Sequence, residues 1–147
     1  MAKIVSSYCT KVVGENKIFK ETIRIYRDAL SLLIRIVDAE WDSGLGAIYA
    51  LSTLKARRVV ELLIHSSRTS TPKYPEFDKR FYKYPSYLRR ASITEALGAV
   101  SSYRAALSRW EEAGRKGKAP KLQTLRSAMP TFYRAVSYTH LRAHETP

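Results

Sequence analysis

Cysteine is nearly missing from this chain: Cys9 is the single one in 147 residues. No internal disulfide can form, which fits a reducing cytoplasm. Acid is scarce as well, with 13 Asp/Glu against 26 Lys/Arg and a formal charge of +13. Such an imbalance points to a polyanionic partner, nucleic acid before an anionic membrane surface. Long apolar runs are absent. The longest uncharged stretch, residues 43–54, falls far short of the roughly 20 residues a membrane span needs. The N-terminal run MAKIVSSYCTKVVGENK has lysines throughout and no apolar signal-peptide core. A cytoplasmic protein without a membrane partner is therefore expected. No GxGxxG, GxxxxGK[ST] or CxxC pattern occurs, so neither a phosphate-cradling loop nor a paired-thiol site is indicated. The length suits one domain with a modest core.

The end of the chain is expected to be foreign to the fold. VSYTHLRAHETP, residues 136–147, back-translates at its start to a sequence that resembles a transposon-end sequencing adaptor. Two of the three histidines, His140 and His144, lie within it and make no case for a metal site without further ligands. The natural chain is then expected to stop near Arg134 as a fragment.

Along the rest, residues 3–13 (KIVSSYCTKVV) are rich in Val, Ile, Tyr and Thr and predict a strand, ended by Gly14-Glu15-Asn16. Residues 19–41 predict a helix: Ile23, Tyr26, Leu30, Leu33, Val37 and Trp41 recur at helical spacing. Ile25, Ala29, Leu32 and Ile36 widen that stripe to more than one side. Asp42-Ser43-Gly44 predicts a stop, with Asp42 or Ser43 capping the next helix. That second helix is expected over residues 47–65, with Leu51, Leu54, Val59, Leu62 and Leu63 inward and Arg57 paired to Glu61. Residues 66–85, with Pro72, Pro75 and Pro85, predict a long loop. A third helix is expected over residues 86–113, striped by Ile93, Leu97, Val100, Tyr103, Leu107 and Trp110 and stopped by Gly114. RKGKAPK reads as a basic linker, and Thr131-Phe132-Tyr133 as another strand. The expected class is α+β, mainly helical: three long helices flanked by strands at both ends.

Function is concentrated in KYPEFDKRFYKYPSYLRR, residues 73–90. From Lys79 to Arg90 it holds five cations (Lys79, Arg80, Lys83, Arg89, Arg90), four aromatics (Phe81, Tyr82, Tyr84, Tyr87) and no acid. Cations bind phosphates and release counterions, and aromatic rings accept unstacked bases. The opposing reading is a solvated basic surface whose tyrosines lie on the core. A second acid-free run, residues 115–134, carries Arg115, Lys116, Lys118, Lys121, Arg126 and Arg134, so two basic segments bracket the third helix. Arg89 and Arg90 oppose that helix's dipole in its first turn, which favours a ligand contact as their explanation. Arg104 joins the expected phosphate contacts. Tyr82, Tyr84 and Tyr87 are expected to stack bases or to support the loop.

Catalysis finds little support. Asp38, Glu40 and Asp42 cluster near one helix end, but Mg²⁺ seldom rests on such a cluster alone. His65 lacks a nucleophilic partner, and Cys9 falls in a predicted strand; both read as structural. No catalytic residue and no cofactor are expected, and a helical protein-interaction module with a basic surface is the alternative to nucleic-acid binding.

The run PSYLRRASITEALGAVSSYRAALSRWEEAGRKGKAPKL followed by MPTFYR resembles the N-terminal half of TnpB-type transposon proteins, RNA-guided nucleases related to type V CRISPR effectors. ETIRIYRDALSLLIRIVDAEW is similar to that family's first long helix, so the resemblance covers about residues 3–135. It implies an incomplete wedge-like β-barrel contributed by residues 1–18 and 115–135. Between these, residues 19–114 would form a helical recognition region holding guide RNA and the RNA–DNA heteroduplex by backbone and shape. The family's nuclease acids and four-cysteine zinc element lie beyond the matched region, so Mg and Zn are expected only there.

Overall fold

In the computed structural model the described residues are 13–14, 16–125 and 128–130. Helix α1 spans Lys17–Glu40 and buries Tyr26, Ala29, Leu30, Leu32, Leu33, Ile34, Ile36 and Val37. These apolar positions wrap more than one side, as the widened stripe predicts. A single deep truncation such as Leu33→Ala removes about 2–5 kcal/mol.

Asp42-Ser43-Gly44 interrupts the helix as expected: within a π turn over Trp41–Leu45 the backbone leaves the helical region at Gly44, φ +122° and ψ −16°, and the chain kinks into α2, Gly46–Leu51. Only glycine adopts that backbone without strain, so Gly44 redirects the axis. No side chain caps α2. A second break comes at Ser52, whose extended backbone ends α2 and whose hydroxyl accepts the Lys55 N–H at 3.3 Å as the N-cap of α3, Thr53–Ile64. The expected single helix over residues 47–65 is thus two. Its inward face also differs: Ala56, Val60 and Ile64 are buried, while Leu51, Leu54 and Leu62 are exposed. Ala56, Val60 and Ile64 recur every four residues and so share one face of α3, and the exposed leucines lie off that face.

Residues 66–85 are not one loop. Tyr74 N–H donates to the Leu63 carbonyl at 2.8 Å, and a short helix α4, Glu76–Arg80, comes next. Helix α5 spans Ser86–Glu112 and buries Leu88, Ala91, Ser92, Ile93, Ala96, Leu97 and Val100; Tyr103, Leu107 and Trp110 are half-buried. It closes at Gly114, φ +80°, where Gly114 N–H bonds the Glu111 carbonyl and Arg115 N–H bonds that of Trp110. This pair of bonds satisfies orphan carbonyls that a helix end otherwise leaves open.

The longest packing seam joins α1 to α5, α3 lies on α5, and α4 on α3. The chain after α5 returns along it, with Leu122, Leu125 and Ala128 against the core and the Ala128 carbonyl accepting Arg27 Nε at 2.8 Å. The α+β class is corrected: among the described residues there are helices and no strand, and no part of a barrel. The helices close the core on one another, so no sheet is needed to cover their apolar stripes. The strands expected at residues 3–13 and 131–133 fall outside the described residues, apart from Val13.

Candidate nucleic-acid interface

The basic loop is built on an aromatic anchor. The rings of Phe77 and Phe81 lie 5.1 Å apart, and Tyr84 sits 6.1 Å and 6.0 Å from them. The Tyr84 hydroxyl is 2.6 Å from Ser92 Oγ. Ser92 donates its proton to the Leu88 carbonyl, so Tyr84 is the donor between the two. Burial pushes the Tyr84 phenol up to about 12. Tyr84 is therefore a support of the loop, and Phe81 is buried with it. Tyr82 is the opposite case, 79% exposed, with Lys83 Nζ 5.6 Å from its ring centre. Lys83 has φ +64°, a left-handed conformation that costs a non-glycine residue about 1–2 kcal/mol. Arg80 lies over the Phe81 ring at 5.2 Å, and Lys79 is exposed.

The other predicted cations divide sharply. Arg89 and Arg90 lie 3.8 and 3.4 Å from the Glu61 carboxylate of α3. Glu61, expected to meet Arg57, is thus the counter-charge that explains two arginines in a helix first turn without a ligand. Arg104 is held by Asp38 at 2.8 Å and Asp42 at 3.1 Å. Its burial works against its charge, but the Asp38 hydrogen bond and the nearby carboxylates outweigh it and raise its pKa. Of the carboxylates considered for a metal site, Asp38 and Asp42 are thereby occupied with an arginine, and Glu40 with Lys73 and Tyr74. His65 Nδ1 meets Asp78 at 2.8 Å. Among the described residues no group of three or more His, Cys, Asp or Glu is placed to hold a metal ion. Nor is any described helix long and apolar enough to cross a membrane.

Arg115, Lys116 and Lys118 are exposed just past the far end of α5, and Lys121 is exposed where the chain turns back along it. Arg115 has φ +58° and lies 5.9 Å from the Trp110 ring. With 27 residues at about 1.5 Å each, α5 separates the two basic clusters by about 40 Å. They form two patches rather than one.

Folding adds cations that composition alone did not single out. A groove of about 630 Å³ between α1 and the loop is lined by Arg24, Asp28, Arg80, Tyr82, Lys83 and Tyr87, among others. A second, of about 580 Å³, is lined by Lys20, Arg24, Arg27 and Thr124. Arg24 and Asp28 border both, so the grooves adjoin across α1. The signal was present as Lys17, Lys20, Arg24 and Arg27, spaced three, four and three apart on one helix face.

The model of the Aq_aa04 family matches residues 4–146. This chain belongs to the Aq_aa04 family. The family match extends over most of residues 136–147, the stretch read as adaptor-derived. No curated protein and no solved structure matches the chain.

Proposed function

We propose that this member of the Aq_aa04 family binds nucleic acid through its phosphates. Lys79, Arg80 and Lys83, with Lys20 and Arg27 of α1, form one contact region. Arg115, Lys116, Lys118 and Lys121 form the other. The carrying observation is how charge is distributed. Glu21, Asp28, Asp38, Glu40, Asp42, Glu61 and Asp78 are engaged in ion pairs within the fold. Lys79, Arg80, Lys83, Arg115, Lys116, Lys118 and Lys121 have no ion pair among the described residues. Arg35, Lys55, Arg58 and Arg68 are also exposed without an ion pair among the described residues, so the surplus charge is spread over the surface and is densest in these two segments, near opposite ends of α5, a helix about 40 Å long. An extended polyanion suits that spacing, and a small anion does not.

Fluorescence anisotropy with structured RNA, an RNA–DNA heteroduplex and duplex DNA tests the reading across a salt series. Each phosphate contact should add about 0.7–0.9 to the slope of log K against log salt. Affinity that holds constant from low to high salt would refute it. The finer reading, a TnpB-like protein holding guide RNA and its heteroduplex, is supported by the resemblance of PSYLRRASITEALGAVSSYRAALSRWEEAGRKGKAPKL and predicts that these two ligands outcompete duplex DNA. The chain acts as a binder in this proposal; metal-dependent strand cleavage lost on Asp38→Asn would overturn that part.

One observation favours a protein-interaction module instead. Leu51, Leu54 and Leu62 are 87%, 45% and 50% exposed on α2 and α3. That reading predicts no preference for structured RNA over heparin.

A further inference from the structure

We infer that the groove between α1 and residues 80–87 takes an unpaired nucleotide, its base stacked on Tyr82 and its phosphate held by Arg80 and Lys83. The inference rests on the nucleic-acid reading and names the ligand form that this groove accepts.

Four aromatics lie in residues 79–90, and the fold uses them unequally. Phe81 and Tyr84 are packed on Phe77, and Tyr87 is half-buried in the groove wall. Tyr82 alone of the four turns a largely exposed ring outward. Its neighbours are fixed: Phe81 N–H bonds the Phe77 carbonyl, Tyr84 N–H bonds the Phe81 carbonyl, and the Tyr84 hydroxyl meets Ser92. A flat ring held on a rigid support is preorganised, so stacking a base on it orders little else. Lys83 Nζ lies over one face of the ring and leaves the other for a base, and with Arg80 it places positive charge near the sugar–phosphate of a stacked base.

The α1 wall completes the groove. Arg24 is oriented by Glu21 and by Asp28, the latter at 3.6 Å, and these carboxylates keep its guanidinium across from the loop. With Arg24 paired to Glu21 and Asp28, Arg80 and Lys83 supply the groove's unpaired positive charge. Its volume of about 630 Å³ falls in the range of small-ligand pockets, about 300–1,000 Å³. A duplex keeps its base faces covered by stacking and offers Tyr82 none of them. An unpaired residue offers both a free face and a phosphate.

The test uses the full chain and a fluorescein-labelled RNA of about 12 nucleotides without self-complementarity, inside the range of about 4–16 that single-strand sites cover. The same RNA annealed to its complement is the second probe. The single strand is expected to bind more tightly. Tyr82→Ala should weaken single-strand binding by about 5- to 100-fold and leave the duplex unchanged, while Tyr82→Phe retains the affinity because the ring face is kept. Equal binding of both probes with a neutral Tyr82→Ala overturns this inference and leaves salt-dependent nucleic-acid binding standing. Failure of both probes to bind at low salt overturns the functional reading along with it.

Discussion

Arg104 of α5 and Asp38 of α1 are joined twice, Nη2 and Nε donating to the same carboxylate oxygen at 2.8 and 3.1 Å. Nη2 also reaches the Asp38 main-chain carbonyl at 3.1 Å, and Nη1 meets Asp42 in the π turn. One guanidinium thus ties the end of α1 and the start of the turn to the middle of α5. Arg104→Met should destabilise by about 1–3 kcal/mol, the scale of charge-assisted hydrogen bonds. Urea unfolding should show a lower midpoint with an unchanged slope. The salt dependence of nucleic-acid binding should not change, because this cation is already neutralised.

Glu40 gives the fold an acid-sensitive contact. Lys73 Nζ donates to its Oε1 at 2.6 Å and the Tyr74 hydroxyl at 2.5 Å, and these bonds hold the Glu40 carboxyl below its ordinary value. A depressed folded pKa means stability that is complete above the unfolded carboxylate range, near about 4.3, and lost as pH falls through the folded value. Glu40→Gln should therefore flatten the decline of the urea midpoint below about pH 4.3. An acid limb identical to the parent's would contradict the assignment.

Tyr84 makes the opposite prediction at high pH. Its phenol titrates at about 12 in the folded chain because it is buried, against about 10 when unfolded. A raised folded pKa gives stability that is full below about 10 and falls away as pH rises toward the folded value. Tyr84→Phe should lose about 0.5–1.5 kcal/mol at neutral pH, with the Ser92 hydrogen bond, and show a shallower alkaline decline. Difference absorbance during alkaline titration should lose one tyrosine that titrates well above about 10.

The exposed cations should act on binding without touching the fold. Lys83→Ala and Arg80→Ala are each expected to lower the salt slope by about 0.7–0.9, as is Lys118→Ala if the far cluster contacts the same ligand. Thermal midpoints should stay near the parent's for Arg80→Ala and Lys118→Ala. Lys83→Gly, by contrast, should raise stability modestly, since glycine accepts φ +64° without strain.

Gly44 is the most sensitive backbone position. At φ +122° and ψ −16°, Gly44→Ala should cost about 1–3 kcal/mol although no atom lies within 4 Å of the added Cβ. A neutral result in calorimetry would show that the π turn can relax.

Much of the helical order was legible in the chain. The apolar spacing of α1, the length of α5 and its stop at Gly114 obey local rules, and the structure keeps them. Asp42-Ser43-Gly44 reads as a terminator, and the backbone leaves the helical region at Gly44, with Trp41 packed on Gly46, where a Cβ would come 2.6 Å from Trp41 Nε1. One local signal misled: the leucines of α2 and α3 read as the inward face, yet Ala56, Val60 and Ile64 are buried while Leu51, Leu54 and Leu62 are exposed. The basic-aromatic run stood out as a segment, but its members could not be sorted. Tyr82 and Tyr84 have the same side chain and differ only in what the neighbouring helix offers each.

The amino-acid sequence by itself determined a charge of +13, a single thiol, helices at the periods its apolar residues dictate, and two acid-free basic runs at either end of α5. These are properties of composition and of spacing within one segment, and need no partner element. Only the tertiary structure decided which cations remain available. Glu61 lies on α3 and Asp38 and Asp42 at the end of α1, and folding alone brings them to Arg89, Arg90 and Arg104. The same folding sets Arg24 of α1 across a groove from Tyr82 and Lys83, more than 50 residues along the chain. Charge neutralisation acts over a few ångströms of space, whatever the distance in sequence.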